Sequence, residues 1–91
     1  MAAPLPMYES VYSMLATMSR VVEQPVAPTQ KQLNLLVTNL GLIRVGTLVR
    51  LDKKRIRSIA LGEPQPELAS NLHFQMLNKI LQEVFDNVNE V

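Results

Sequence analysis

The sequence predicts an all-α fold, a compact bundle of about five helices with a central helix-hairpin-helix unit. Three observations support it. Apolar residues recur at spacings of three and four in the first, second and last parts of the chain. Helix-capping side chains and terminal glycines stand where short helices need them. The one ambiguous stretch, Leu42 to Leu51, has no strand-like run of similar length to pair with.

Residues 7–23 read as a first helix, with Tyr8, Val11, Tyr12, Leu15, Met18 and Val22 on one face. Pro25 and Pro28 then break the chain, because proline lacks an N–H and disfavours helix in the residue before it. Thr29 is suited to cap a second helix through Leu40, whose buried stripe is Leu33, Leu36, Val37 and Leu40. Gly41 is its expected stop, since glycine takes positive φ without penalty. Leu42 to Leu51 admits two readings. Partial apolar alternation fits a hairpin strand, whereas the preferred reading is a tight turn at Arg44 to Gly46 and a short helix from Thr47 to Leu51. Asp52 then caps another short helix through Leu61, ended by Gly62. Beyond the loop Glu63-Pro64-Gln65-Pro66, a last helix runs from Pro66 or Glu67 to Val88, with proline placed in its first turn.

The 91 residues make one domain. Its parts are a first helix with proline linker (1–28), a helix plus hairpin unit (29–62), and a loop with a long closing helix (63–91). So short a chain buries a limited share of its surface, so its stability margin is modest and association would help. The last helix carries more apolar residues than one face needs. Ser70, Phe74, Leu77, Leu81, Val84 and Val88 keep the alternating spacing of a packed helix seam, and Leu72, Met76, Ile80 and Phe85 add a second stripe. Two explanations stand: a central helix wrapped on several sides, or a homo-oligomer associating through Phe74, Leu77, Leu81, Val84 and Val88.

Net charge is only +1, yet the charges are sorted along the chain. Arg44, Arg50, Lys53, Lys54, Arg55 and Arg57 face a single acid, Asp52, within residues 44–57. The remaining third is acidic, with Glu63, Glu67, Glu83, Asp86 and Glu90 against Lys79. No apolar run approaches the about 20 residues of a membrane-spanning helix. Met1 to Met7 lacks the basic and apolar blocks of a secretory signal.

Catalytic chemistry has little to work with. His73 is the one histidine, no cysteine is present, and no metal, hydrolase or phosphate-loop motif accompanies them. A non-enzymatic protein without metal or cofactor is therefore expected. The central segment is more specific. It reads Leu40-Gly41-Leu42-Ile43-Arg44-Val45-Gly46-Thr47-Leu48-Val49-Arg50-Leu51, then Ile56, Ile59 and Gly62. In such a hairpin, Gly46 lets the backbone approach a phosphate, and free N–H groups from Thr47 onward bind it. Arg44, Val45, Gly46, Thr47, Lys53, Lys54, Arg55 and Arg57 are the resulting DNA-contact candidates. The cations add a salt-sensitive term that carries no base information. The basic block has no aromatic residue for stacking, which disfavours sequence-reading of RNA. The same pattern also suits pure architecture, with the cations solvated or paired to the acidic third.

The order of elements from Pro25 through the Val45-Gly46-Thr47-Leu48 turn, Asp52, Arg55 to Leu61 and Pro64 resembles the C-terminal domain of the Rif-type telomere-associated, replication-timing regulatory factors. That domain is in turn similar to the C-terminal domain of the bacterial RNA polymerase alpha subunit. The resemblance covers residues 25–85 and is most specific from Ile43 to Pro64. It implies a nuclear chromatin protein that binds DNA and self-associates, with a protein phosphatase recruited by regions outside this chain. The chain departs from that family in its acidic proline loop, and Arg20-Val21-Val22-Glu23 lacks the aromatic of a phosphatase docking motif. A protein-interaction or oligomerisation adaptor without DNA binding is the alternative expectation; a viral accessory protein that binds a host factor is a third.

Overall fold

The computed structural model describes residues 5–46 and 51–89, with side-chain surroundings for residues 8–45 and 51–86. All regular structure among them is helical: α1 (Leu5–Val22), α2 (Gln30–Gly46), α3 (Lys53–Ala60) and α4 (Leu72–Asn89). The all-α class agrees with the sequence reading, with four helices among the described residues. The short helix expected from Thr47 lies outside those residues, apart from Leu51, which is not helical.

α1 turns its apolar side inward through Val11, Met14, Leu15 and Met18. Tyr12, expected on that face, is 56% exposed, and Met14 takes the inward place. The helix ends in a left-handed turn at Glu23 (φ 58°), closed by Gln24 N donating to Ser19 O at 3.2 Å. Ser19 Oγ also accepts from Val26 N at 3.0 Å. The proline linker is thereby folded back against α1, and Val26 packs on the core.

α2 opens with a reciprocal cap. Gln32 N donates to Thr29 Oγ1 at 3.1 Å, and Thr29 N donates to Gln32 Oε1 at 2.9 Å. Its far end differs from expectation, because the helix passes through Gly41 to Gly46. Glycine in a helix costs about 1 kcal/mol relative to alanine. Continuing the helix one turn buries Ile43 completely, and burial of such a side chain contributes about 1.5–3 kcal/mol. The apolar stripe therefore outweighs the glycine, and the tight turn expected at Arg44 to Gly46 is instead the last turn of α2.

α4 begins later than expected, at Leu72. Residues 66–70 make turns, with Leu68 N bonded to Gln65 O and Asn71 N to Leu68 O, each at 3.0 Å. Leu68 is fully buried by this turn. Asn71 then caps the helix, its Oδ1 accepting from Phe74 N at 2.8 Å.

α2 packs most extensively on α4, while α1 packs on α3 and on α2. Phe74, Leu77, Leu81 and Val84, the proposed association seam, are buried inside this chain's own core together with Ile80. They serve the fold and present no surface to a second copy. The side chain of Val88 lies outside the described residues.

Replacing Ile43 with alanine is expected to cost about 2–5 kcal/mol in urea denaturation, the range for emptied core positions; a cost near zero would place the end of α2 before it. Glu23→Gly should raise stability by about 1 kcal/mol, because it relieves a left-handed non-glycine residue. Thermal and urea midpoints report the sign.

Candidate nucleic-acid interface

The basic block resolves into one short helix with two different flanks. Leu51 is buried and anchors the start of α3. Asp52 adopts extended backbone (φ −87°, ψ 179°), and its carboxylate accepts from Arg55 N at 2.9 Å. The helix ends at Gly62 (φ 74°), with Gly62 N donating to Ile59 O and Glu63 N to Ser58 O, both at 3.0 Å. This double closure requires a left-handed residue at position 62, which glycine supplies. Ile56 and Ile59, three residues apart, bury the inner side.

That inner side fixes where the cations point. Successive helical residues are about 100° apart around the axis. Lys54 and Arg57 fall on the side away from the isoleucines and Lys53 at its edge, and all three are exposed. None of the three has a side-chain hydrogen bond or ion pair among the described residues.

Arg55 has another role. It lies on the flank facing the proline loop, where its guanidinium donates through Nη1 to Gln65 Oε1 and through Nη2 to Glu67 Oε2. Gln65 is itself buried and donates from Nε2 to Ser58 Oγ at 2.8 Å and to Glu63 O at 3.1 Å. Ser58 Oγ donates to Glu63 Oε1 at 2.9 Å. The acidic proline loop is thus tied onto α3, and the charge of Arg55 is already matched. It positions the loop, and Glu67 is its anionic partner within the chain.

The other candidates are dispersed. Arg44, exposed near the end of α2, donates from Nη1 to Ser10 Oγ of α1 at 3.1 Å. Val45 is 89% exposed beside it. Gly46 is helical, so it does not form the phosphate-approaching turn expected of it. Thr47, like Arg50, lies outside the described residues. At α3 the Asp52 carboxylate occupies the N–H of Arg55, so that N–H is not free for an anion. Among the described residues, side chains carry the positive surface.

The sequence reading left Arg20 out of the site. Packing of α1 on α3 places it with Arg57 along one depression. Nothing local signals this, because 37 positions of chain separate the two. His73 is exposed on α4, and among the described residues no three His, Cys, Asp or Glu side chains come together as a metal site. No helix is long and apolar enough to cross a membrane among the described residues.

Arg55→Met should free the proline loop while leaving α3 folded. Hydrogen exchange is expected to accelerate at the N–H groups of Leu68 and Ala69, which close the loop turns. Arg55→Lys should restore only part of the protection, since an ammonium lacks the planar fork that engages two acceptors. Unchanged exchange in Arg55→Met would show that the loop holds without this residue.

No family model, curated protein or solved structure matches this chain.

Proposed function

We propose that this chain is a sequence-independent DNA-binding module, and that its contact surface is the outward face of α3. The observation that carries the reading is the separation of paired from unpaired cations on one helix. Arg55 is matched by Glu67, whereas Lys53, Lys54 and Arg57 share an exposed face and have no ion pair among the described residues.

Three further features support it. The face is rigidly presented, because Ile56 and Ile59 anchor the helix and both of its ends are capped. Lysine and arginine side chains without neighbouring aromatic residues suit phosphate contact better than base stacking. The acidic loop lies to one side of α3, so it repels a polyanion there and directs it toward the cationic face.

Titration with duplex DNA tests the proposal. Three phosphate contacts contribute a slope near −2.7 in log affinity against log salt, about a 40-fold loss between 50 and 200 mM. Reversing Lys53, Lys54 and Arg57 together to glutamate should abolish binding while leaving the helical circular dichroism intact. Binding that ignores both salt and charge reversal would remove the proposal. Duplexes of unrelated sequence should bind with equal affinity.

A further inference from the structure

Three depressions on the surface differ sharply in charge. The one of about 560 Å³ between α3 and the proline loop has the carboxylates of Asp52 and Glu67 beside Lys54 and Arg55, and Arg55 is already bonded to Glu67. One of about 240 Å³ between the end of α3 and α4 contains Glu63 and is otherwise uncharged. The third, about 280 Å³, lies where the last turn of α1 meets the end of α3 and is lined by Arg20, Val21, Arg57 and Leu61. Among the described residues no acid lines it.

Arg20 and Arg57 are both exposed, and neither guanidinium has a side-chain hydrogen bond or ion pair among the described residues. Each stands in the last turn of its own helix, where the partial negative charge of the helix end favours a cation. That effect accounts for either arginine alone. It does not account for two like charges lining one concavity, which repel each other unless an anion sits between them. The walls suit such an anion. Val21 and Leu61 give the arginine stems apolar surface to lie along, and two planar forks match the oxygens of a phosphate.

We infer that Arg20 and Arg57 together clamp one phosphate of the DNA backbone. This rests on the DNA-binding reading above and extends it to a second helix. The DNA then crosses from Lys53 and Lys54, past Arg57, to the end of α1. Arg20 becomes a binding residue contributed from outside the basic block.

The test is duplex titration of the whole chain as wild type, Arg20→Ala, Arg20→Lys, Arg57→Ala and the double alanine variant, at 50 and 200 mM salt. Arg20→Ala should weaken binding severalfold on every duplex sequence, and the double alanine variant, which leaves that phosphate without a cation, should make the salt slope shallower by about 0.9. Arg20→Lys should restore only part of the affinity, because an ammonium cannot bind two oxygens as a fork. The double variant should lose less than the product of the single losses, since both residues act on one phosphate. Thermal melting confirms that each variant is folded; Arg20→Gln replaces the alanine variant if that one melts early. Wild-type affinity in a folded Arg20→Ala or Arg20→Gln variant, with Arg57→Ala weakened, overturns the clamp and leaves the α3 interface standing. Absence of duplex binding by the wild type at 50 mM salt overturns both.

Discussion

The side of α2 that carries Leu36, Val37, Leu40 and Ile43 is almost completely buried, and the other helices take their places through it. α4 packs along α2, α1 packs on α2, and α3 is held in turn by α1. α1 and α4 make no close backbone approach to each other among the described residues. The helix must therefore be long enough to serve both neighbours. The stretch from Leu40 to Gly46 supplies that length at the expense of a glycine inside a helix. The interior is close-packed, so a stop at Gly41 would leave a gap where Ile43 now sits.

The same arrangement sorts the charges. α3 reaches the core through two isoleucines and the half-buried Ala60, so most of its circumference is polar. One flank is covered by the loop of residues 63–67, whose acids and buried glutamine bind Arg55 and Ser58. The opposite face keeps Lys53, Lys54 and Arg57 in solvent. A single basic helix thus has an architectural arginine and a cationic surface within five residues. Exposed ion pairs are individually weak. The loop is held instead by several hydrogen bonds converging on Gln65, and no buried side-chain polar atom among the described residues is left without a partner.

The features read correctly from sequence are those satisfied within a few residues. Thr29, Asp52 and Gly62 each complete their helix end with groups no more than four positions away. The stripes of α2 and α4 were legible for a similar reason, since helical periodicity puts their apolar residues on one side whatever they face. The candidate site was legible in composition but not in roles. Lys53, Lys54, Arg55 and Arg57 look alike in a charge block, and only the position of the folded loop distinguishes Arg55 from the rest. Periodicity likewise did not say whether Phe74, Leu77, Leu81 and Val84 face this chain or another. The answer depends on where α2 and the buried Leu68 turn lie.

Sequence alone determined the helical class, the caps of α2 and α3, and the concentration of positive charge before Ser58. Those properties follow from local hydrogen bonding and from the spacing of apolar residues. Tertiary structure decided where α2 and α4 begin or end, because burial of Ile43 and Leu68 competes with local stop and start signals. It also decided which cations remain unpaired, and it placed Arg20 of α1 beside Arg57 of α3. Charge interaction depends on distance in space, and helix packing sets that distance between residues far apart in the chain.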